Sequence, residues 1–452
     1  MFKKILVANR GEIALRVIRS CKELGIQSAA VYSEADDKSL HLALAEEQIC
    51  IGPPMSAASY LNIANILKAA VKCGADAVHP GYGYLAENEE FARACEDRGI
   101  VFIGPSPANL QLAGDKMAAK KIMEKAGIPV IPGSPAGTNR LDEALLYSSS
   151  IGYPVMIKAS GGGGGRGIRI CADAEMLRED FPIAQAEAKA AFGNDALYIE
   201  KFIQQPRHIE FQILADKFGH IAHLGERECT IQRRYQKLIE ESPSPGLSAE
   251  LRNAMGKAAI RAAAALDYSN AGTIEFLLAP DDNFYFMEVN ARIQVEHPVT
   301  ELTTGMDLVK EQIRLAADGS IDYTFDDLNK RGWAIECRIN AEDPDRNFLP
   351  SPGTVEKYRP PGGYGVRLDS HLYQGYELPI FYDSLIAKLV SYDLTRDGAV
   401  AIMKRALEEC IISPLKTTIP LYRKIMDDPF FRKGDFDTGF ISKFVPEEDE
   451  EI

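Results

Sequence analysis

Short apolar strands alternate with amphipathic helices over residues 1–114, and this alternation constrains the fold of the 452-residue chain more than any other feature. Lys4 to Ala8 is the first predicted strand, and the helix after it carries Ile13 and Val17 on one face. The elements predicted next are Ser28–Tyr32, 61–73, Ala77–Val78, 88–98 and Ile100–Ile103. Strand–helix alternation is the signature of an open parallel sheet, so this part is predicted to be α/β. Its first turn lacks G-x-G-x-x-G, so a dinucleotide site has no support there.

The pattern changes after residue 115, where predicted hairpins replace the strand–helix crossovers and indicate an α+β region. Its extended segments are predicted at Pro154–Lys158, Ile168–Ile170, Leu197–Ile203, His208–Ala215 and 273–296. A third part begins near Trp333 and carries strands, Pro/Gly turns and a final predicted helix from Asp397 to Glu409. At roughly 150 residues per domain, the length fits three domains, which we predict at 1–114, 115–332 and 333–446.

Composition excludes several classes of protein. The 51 basic and 65 acidic residues give a formal net charge of −14, which argues against a general nucleic-acid binder. No apolar run approaches the roughly 18 residues of a membrane span, and the N-terminal apolar stretch is too short for a signal peptide. The eight cysteines lie far apart and form no C-x-x-C pair, so we expect reduced thiols in a cytoplasmic protein.

Five consecutive glycines, Gly161 to Gly165, precede Arg166 and Gly167. Glycine exposes its backbone N–H groups without side-chain interference, which suits a phosphate cradle. A flexible turn without a ligand is the alternative, and Lys158 just before the run favours the phosphate interpretation. The run joins two predicted hairpin strands and opens no helix, so its G-x-G-x-x-G match is not a dinucleotide motif. The P-loop pattern G-x-x-x-x-G-K-[ST] is absent.

The segment Ala271–Glu288 predicts a β-hairpin that turns at residues 280–283. A turn centred between Asp281 and Asp282 places Glu275 directly opposite Glu288. Like charges about 5 Å apart on one face of a sheet are destabilising. A magnesium or manganese ion reverses that effect, because hard cations prefer carboxylate oxygens. Two solvent-facing glutamates are the weaker alternative, since the flanking residues are apolar, and we predict a pair of metal-binding carboxylates.

The second strand of this hairpin is predicted to continue to Glu296. Alternate residues of an extended chain share a face. One face then carries the polar row Glu288, Asn290, Arg292, Gln294 and Glu296. This row is suited to bind an anion through Arg292 while Glu296 serves as a base. His297 has the opposite parity and precedes a proline, so we predict a structural role for it.

Three further stretches are less specific. His208, Glu210 and Gln212 share one face of a predicted strand, which meets either a nucleotide or water. The basic run from Gln232 to Lys237 is either a solvated face or, beside a metal–phosphate site, a contact for an anionic substrate. The glycine-rich segment 79–84 is either a tight turn or a ligand loop.

Taken together, these stretches resemble the biotin carboxylase family of the ATP-grasp superfamily almost end to end. The similar stretches are Ile5–Ala14, His79–Gly83, Gly114–Lys116, Lys158–Ser160 with the glycine run, Gln232–Arg234, Glu288–His297 and Arg338–Glu342. The resemblance implies a Rossmann-like N-terminal domain that precedes the ATP-grasp domain. It also implies an ATP-grasp domain with a mobile glycine-rich lid at about 130–203 and an α+β C-terminal biotin carboxylase domain.

The activity that the resemblance implies is that of a ligase. ATP and bicarbonate give carboxyphosphate, which delivers carbon dioxide to a ring nitrogen of biotin carried elsewhere. The implied cofactors are ATP and magnesium or manganese, with biotin as a carrier-bound substrate.

The resemblance also implies roles at the matching positions. The implied nucleotide contacts are Lys116, Lys158, Gly163, Gly164, Gly165, Arg166, Glu200, Lys201, Phe202, Ile203, His208, Gln232, Tyr235, Glu275 and Glu288. The implied metal ligands are Glu275, Glu288 and Asn290. The implied bicarbonate pocket consists of Lys237, Arg292, Gln294 and Val295. Glu296 matches the general base, Arg338 matches the group that steadies the biotin enolate, and Lys237 and Arg292 complete the catalytic set. Tyr235 departs from the family pattern, because many relatives carry a histidine there.

No Ala/Val-Met-Lys-Met biotin-attachment sequence is present, so we expect the biotin carboxyl carrier and the carboxyltransferase on other polypeptides. Acetyl-CoA carboxylase, and with it fatty acid biosynthesis, is the expected complex. A two-subunit pyruvate carboxylase or another acyl-CoA carboxylase stays open. The family implies a homodimer, with Arg19 near the contact, and neither a nucleic-acid nor a membrane partner.

Three other interpretations are weaker. Arg338 in a third domain argues against a different ATP-grasp ligase. The intact polar row argues against a non-catalytic ATP-sensing subunit. The missing fingerprint in the first turn argues against an oxidoreductase.

Overall fold

The computed structural model of the protein describes residues 1–159, 169–192, 194–328 and 330–445. The first part of the chain carries five strands, β1 (Lys4–Val7), β2 (Gln27–Tyr32), β3 (Glu47–Cys50), β4 (Ala77–His79) and β5 (Val101–Phe102). Its helices are α1 (Gly11–Glu23), α2 (Leu40–Leu44), α3 (Ile63–Cys73), α4 (Glu89–Glu96) and α5 (Pro107–Gly114). The strands form one parallel sheet in the order β3-β2-β1-β4-β5, which confirms the predicted open parallel α/β fold.

Local sequence explains the ends of these elements. Helices α3 and α4 begin where the side chains of Asn62 and Asn88 accept the main-chain N–H groups of Asn65 and Phe91. Strand β3 was not predicted, because it lies at the sheet edge and its residues alternate between half-buried and exposed. An edge strand of this kind lacks the continuous apolar run that marks a buried parallel strand.

The middle part is α+β. Its helices are α6 (Lys116–Lys125), α7 (Leu141–Ile151), α8 (Ala174–Phe192), α9 (Ala249–Ala265), α10 (His297–Thr304) and α11 (Leu308–Ala316). Its strands are β6 (Val155–Ala159), β7 (Arg169–Cys171), β8 (Leu197–Lys201), β9 (Arg207–Ala215), β10 (Ile221–Arg233), β11 (Gln236–Ser242), β12 (Asn270–Leu278) and β13 (Phe284–Asn290). Strands β6 and β7 pair antiparallel, as predicted, and β8 completes a small three-stranded sheet with them.

The third part is also α+β. Its strands are β14 (Trp333–Asn340), β15 (Glu342–Asp343), β16 (Leu349–Pro350), β17 (Gly353–Thr354), β18 (Lys357–Arg359), β19 (Val366–Ser370), β20 (Glu377–Leu378), β21 (Leu385–Asp393) and β22 (Ile411–Ser413). Its helices are α12 (Arg396–Glu409), α13 (Ile419–Asp427) and α14 (Pro429–Lys433). The prediction that the helix ending at Glu409 is the last one was wrong. Helices α13 and α14 have only nine and five residues, too few to show a clear apolar period.

One antiparallel sheet of eight strands forms the backbone of the middle and third parts. Its order is β13-β12-β9-β10-β11-β14-β21-β19. Strand β11 pairs with β14, so the sheet continues across the boundary predicted near residue 332. Helix α10 packs against β10, β11, β14 and β21, and α9 packs against β9, β10 and β12. The residues just before α10 therefore lie over the middle of the sheet.

All eight cysteines are free thiols, and seven of them are buried. Within the described ranges, no helix is both long enough and apolar enough to cross a bilayer.

Candidate active site

Strands β12 and β13 form the predicted hairpin, and Glu275 faces Glu288 across it, as predicted. This pairing depends on a β-bulge that the sequence did not reveal. Near the turn Leu278 pairs with Phe284, a register that would place Glu275 opposite Met287 if it continued. The register shifts by one residue directly after Glu275 and brings the two carboxylates into opposition. Bulges often re-aim side chains beside functional sites.

The Glu275 carboxylate is buried and fully hydrogen-bonded. Its Oε1 accepts from Lys237 Nζ at 2.8 Å and from Asn290 Nδ2 at 2.8 Å. Gln294 Nε2 donates to the same oxygen at 3.1 Å, and His208 Nε2 lies 2.8 Å from Oε2. Burial alone would raise the pKa of Glu275, but Lys237 and His208 lower it well below its ordinary value. The carboxylate is therefore anionic at neutral pH.

Glu288 lies at the open side of the same pair. Its side chain is 27% exposed, and its Oε2 accepts from Lys116 Nζ at 2.6 Å. The carboxylates of Glu275 and Glu288, with the amide oxygen of Asn290, are the hard oxygen donors that Mg²⁺ and Mn²⁺ prefer. The ammonium of Lys116 neutralises the Glu288 carboxylate in this structure, which is the role that a bound metal ion would take over. The residues present therefore fit a divalent cation.

Lys237 connects the carboxylates of this region. Its Nζ lies 2.5 Å from Glu210 Oε2, 2.8 Å from Glu275 Oε1 and 2.7 Å from Glu296 Oε1. Burial lowers the pKa of this ammonium, but the three carboxylates raise it well above the usual value. One fixed positive charge is thus shared among three carboxylates.

The prediction that the polar row follows one extended strand was wrong. Strand β13 ends at Asn290, and residues 291–296 are irregular. Glu296 has φ −80° and ψ 12° and occupies the N-cap position of α10, but its side chain makes no capping hydrogen bond. An extended chain would have carried Glu296 about 13 Å past Arg292 along the strand. The bent segment instead returns Glu296 to Lys237, which also contacts Glu275.

Arg292 lies in the bent segment and contacts its neighbours in the row. Its guanidinium donates to Gln294 Oε1 at 2.6 Å and to Asn290 Oδ1 at 3.2 Å. Glu87, from the first part of the chain, accepts from Arg292 Nε at 3.0 Å. The structure thus brings together the row residues that were expected to bind an anion, although the strand parity used to predict them does not hold. Val295 follows in the same segment, half-buried.

Glu296 is completely buried between two cations. Its Oε1 contacts Lys237, and its Oε2 accepts from Arg338 NH2 at 2.8 Å. Burial raises the pKa of Glu296, but Lys237, Arg338 and Arg227 outweigh it and lower the pKa far below the ordinary value. Arg338 also donates from Nε to Glu240 Oε1 at 2.6 Å. The predicted base and the predicted enolate-binding group are therefore direct partners.

Lys158 and Glu200, two predicted nucleotide contacts, lie diagonally across the β6–β8 strand pair. Lys158 Nζ donates to Glu200 Oε2 at 2.6 Å, and Lys120 Nζ donates to Oε1 at 3.2 Å. The predicted lid residues Gly163, Gly164, Gly165 and Arg166 lie outside the described residues. An anionic ligand would compete with Glu200 for both lysines.

The predicted adenine hinge, Glu200 to Ile203, runs from the end of β8. Phe202 N–H donates to the Pro154 carbonyl at 3.0 Å. Lys201 Nζ donates to the carbonyls of residues 152 and 153 at 3.0 and 2.8 Å. Ile203 is half-buried. These contacts tie the hinge to the start of β6.

The basic run from Gln232 to Lys237 is partly exposed, with Arg234, Tyr235 and Gln236 at the surface. It lies at the β10–β11 hairpin, where Gln232 pairs with Lys237 across the strands. Tyr235 is at the tip, 74% exposed, with a φ of 65°. The guanidinium of Arg233 lies 4.3 Å from the centre of the Phe348 ring. Lys237, at the end of the run, contacts the buried carboxylates of Glu210, Glu275 and Glu296.

Sequence reasoning missed several buried partners of these residues. Glu210 was noted only as part of a polar face, yet it is completely buried and paired with Arg227 and Lys237. The shared parity of His208, Glu210 and Gln212 was the available signal, because an all-polar face inside a buried strand requires buried partners. No comparable sequence pattern indicated that Arg227 and Glu240 are buried partners of the site residues.

Comparisons with known proteins identify the family of the chain. Residues 1–110 match the N-terminal domain of biotin carboxylase, and residues 336–443 match its C-terminal domain. Residues 115–324 match the ATP-binding domain of the carbamoyl-phosphate synthase L chain. Biotin carboxylase from Nostoc sp. is 55% identical over 442 residues, which cover 98% of this chain and 99% of that protein.

Two further relatives belong to other carboxylases. A pyruvate carboxylase subunit from Methanothermobacter thermautotrophicus is 54% identical over 444 residues, covering 98% of this chain and 90% of that protein. The biotin carboxylase domain dimer of Hydrogenobacter thermophilus 2-oxoglutarate carboxylase was solved with MgADP, ADP and bicarbonate. Its structure superposes with a TM-score of 0.91 at 51% identity, covering 98% of each chain.

The fold and the site define an ATP-dependent ligase. The chain belongs to the biotin carboxylase family, as the resemblance in its sequence predicted. Its activity is the ATP-dependent carboxylation of biotin, with ATP, a divalent cation and bicarbonate as the other participants. The weaker interpretation of the first part as an oxidoreductase is wrong.

Proposed function

We propose that this protein carboxylates biotin on a separate carrier protein, as the first half-reaction of acetyl-CoA carboxylase. The observation that carries the proposal is the position of Lys237. Its ammonium contacts Glu275, a proposed metal ligand, and Glu296, the proposed base, at 2.8 and 2.7 Å. An anion bound at Lys237 therefore lies beside both the metal–phosphate side and the base.

The ATP side of the proposal assigns roles to residues that now pair with one another. Glu275, Glu288 and Asn290 hold the divalent cation, which supplies positive charge to the phosphates of ATP when bound. Lys116 and Lys158 bind the phosphates. Each lysine is paired with a carboxylate at 2.6 Å, so both must exchange partners when ATP binds.

The remaining ATP contacts are proposed on either side of the phosphates. The lid Gly163, Gly164, Gly165 and Arg166 covers them, and the hinge Glu200, Lys201, Phe202 and Ile203 holds the adenine. His208, Gln232 and Tyr235 contact the nucleotide. His208 also lies 2.8 Å from Glu275, so it links the nucleotide to the metal pair.

The bicarbonate side uses Lys237, Arg292, Gln294 and the main chain at Val295. Glu296 accepts the proton of bicarbonate while a bicarbonate oxygen attacks the terminal phosphorus of ATP, and the bond to the ADP oxygen breaks. The carboxyphosphate that forms releases carbon dioxide and phosphate. Lys237 and Arg338 lower the pKa of Glu296 and keep it anionic, but they also weaken it as a base, so the proposal requires bound bicarbonate to draw Lys237 away from Glu296 before the proton moves.

Biotin enters the proposal through Arg338. Once Glu296 has passed the bicarbonate proton to the released phosphate, it takes the proton of the biotin ureido nitrogen. Negative charge then develops on the ureido oxygen, and the nitrogen forms its bond to carbon dioxide. Arg338 stabilises that charge and already holds Glu296 at 2.8 Å, so the base and the enolate partner act on adjacent atoms.

The complex to which the protein belongs is proposed from the names of its relatives. Biotin carboxylases support acetyl-CoA carboxylase, whereas the relatives from pyruvate carboxylase and 2-oxoglutarate carboxylase support other acceptors. We propose a cytoplasmic homodimer that acts with a biotin carboxyl carrier protein and carboxyltransferase subunits. We also propose the domain division 1–114, 115–332 and 333–446. The free cysteines support the reducing compartment.

One assay tests the activity. Purified protein with Mg²⁺ should hydrolyse ATP only when bicarbonate is present, and free biotin should stimulate that hydrolysis. Glu296→Gln serves as the matched control, because it keeps the volume of the side chain but removes the base. ATP binding without bicarbonate-dependent turnover would identify a non-catalytic ATP-sensing subunit instead.

A second assay tests the complex. The protein should be mixed with carrier and carboxyltransferase from acetyl-CoA carboxylase, and separately with those of pyruvate carboxylase. Malonyl-CoA formed only in the first mixture supports the proposal. Oxaloacetate formed only in the second mixture would assign the protein to pyruvate carboxylase instead.

A further inference from the structure

The irregular segment 291–296 has no strand partner to fix its backbone, so side chains fix it instead. The carbonyl of Ile293 lies 3.4 Å from Arg292 NH1, and that of Gln294 lies 2.9 Å from His297 Nδ1. The carbonyl of Val295 accepts from Lys388 Nζ at 3.0 Å. Arg292 and His297 belong to the segment or follow it directly. Lys388 alone among these three donors comes from a distant element.

Lys388 lies on β21, directly opposite Arg338 of β14 and Asp369 of β19. Its side chain is completely buried, although lysine is among the residues least often found there. Its charge is balanced by Glu12 Oε1 at 3.1 Å, and Asp369 Oδ2 lies 4.0 Å away. Tyr82 donates a hydrogen bond to the same Glu12 oxygen.

A buried ammonium is costly, and an ion pair in the interior is weak evidence for stability. The direction in which Lys388 points gives a more specific reason for its presence. Its ammonium reaches away from β21 to the carbonyl of Val295, the one residue between Gln294 and Glu296. Because a peptide unit is planar, holding the Val295 oxygen also orients the N–H group of Glu296.

We propose that Lys388 is a positioning residue for bicarbonate, and that it acts by holding the Val295 carbonyl. The proposal rests on the proposed function, in which the main chain at Val295 lines the bicarbonate pocket. In the described structure Lys388 contacts Val295, Glu12 and Asp369, none of which is a proposed nucleotide contact or metal ligand. Its loss should therefore displace the bicarbonate pocket and leave the ATP side in place.

Lys388→Met tests this idea, because methionine keeps most of the apolar stem and removes the donor. Misplacement of a reacting group by about 1 Å costs up to about a hundredfold in rate. We expect the KM for bicarbonate to rise about ten- to a hundredfold, while the KM for ATP stays within about twofold. Lys404→Met is the control, because Lys404 forms an exposed ion pair with Asp427 far from the segment.

The single substitution leaves Glu12 without its counter-ion, which threatens folding. The double variant Glu12→Gln with Lys388→Met removes both charges and should show the same selective rise in the KM for bicarbonate. Equal changes in both KM values, an unchanged KM for bicarbonate, or failure of both variants to fold would overturn the proposal. The proposed function and the role of Lys388 are tested separately. If the parent protein shows no bicarbonate-dependent ATP hydrolysis, the proposed function itself is refuted.

Discussion

Two buried polar clusters in this protein use opposite arrangements of charge. The Asp36 cluster consists of Arg10, Asp36 and Tyr60 and lies where the first part meets Tyr382 of the third part. Arg10 donates to both oxygens of Asp36 at 2.7 and 2.8 Å, and Tyr60 donates to one of them at 2.7 Å. The Lys237 cluster consists of Lys237, Glu210, Glu275 and Glu296, with one ammonium shared among three carboxylates.

The difference teaches how structural and functional ion clusters can be told apart. Burial raises the pKa of Asp36, but the hydrogen bonds from Arg10 outweigh it and lower the pKa to about 2. That cluster has one cation for one carboxylate and needs no further charge. In the Lys237 cluster, Arg227 also pairs with Glu210 and Arg338 with Glu296, whereas Glu275 lies opposite Glu288, the other carboxylate of the proposed metal pair. The proposed divalent cation would supply its charge at Glu275.

The largest expected effect comes from removing the metal pair. Glu288→Gln removes a charged oxygen ligand while it preserves volume, so magnesium-dependent ATP turnover should collapse. The fold should survive, because Glu288 is partly exposed and its partner Lys116 is 74% exposed. ATP hydrolysis measured across magnesium concentrations checks this, with circular dichroism as the folding control. Turnover near the parent level would remove the idea of paired metal carboxylates.

The next effect concerns the base in the Lys237 cluster. General bases contribute about a hundred- to ten-thousandfold, and Glu296→Ala should lose activity in that range. ATP and magnesium should still bind, because Glu296 is not among the proposed metal ligands. Rate measurements with isothermal titration of ATP test both parts. If the variant keeps most of its rate, Glu296 is not the base.

Breaking the Asp36 cluster should affect stability and leave the chemistry intact. Arg10→Met leaves a buried carboxylate unpaired, which costs about 3–5 kcal/mol. It also removes a guanidinium that lies 4.0 Å from the centre of the Tyr382 ring. The free energy of unfolding should fall, while kcat per folded molecule stays within about twofold. A large loss of kcat in folded protein would show that this cluster is functional too.

Arg338→Gln should separate the two half-steps of the reaction. Arg338 contacts Glu240 and Glu296 but none of the proposed metal ligands. Carboxybiotin formation should fall at least about tenfold more than bicarbonate-dependent ATP cleavage. Equal losses in both assays would place Arg338 in the nucleotide site or in a purely structural role.

The smallest expected effect is a change in the pH dependence of stability. Glu336 lies opposite Glu240, and within the described structure neither Glu336 oxygen has a hydrogen-bond partner. Burial raises the pKa of Glu240 to about 7 and that of Glu336 well above its ordinary value. The native pair then keeps protons that the unfolded chain releases above pH of about 4.3, so stability falls as pH rises toward 7 and beyond.

Glu336→Gln should flatten this slope, which amounts to at most about 1.4 kcal/mol per pH unit for each proton. Urea unfolding of the variant and the parent at pH 5 and pH 8 measures it. An equal slope in both proteins would show that Glu336 is ionised in the native state.

The opposition of Glu275 and Glu288 was predicted from a turn centred between Asp281 and Asp282, but in the structure a β-bulge produces it. The sequence allowed the sheet and the hairpin to be predicted, because these follow from local periodicity. It did not allow the bulge or the bend after Asn290 to be predicted, because both depend on contacts with distant strands. Lys237 was assigned to an anion site, but its three carboxylate partners come from β9, β12 and the segment before α10. Pairings over such separations leave no local pattern.

The continuous eight-stranded sheet has a consequence for protein engineering. Strands β11 and β14 are joined by main-chain hydrogen bonds across the predicted boundary near residue 332. Cutting the chain there would expose two long unpaired strand edges, each a template for aggregation. Module exchange between relatives should therefore place its junctions before β9 or after β21, and the part that carries Glu275 and the part that carries Arg338 should be transplanted as one piece.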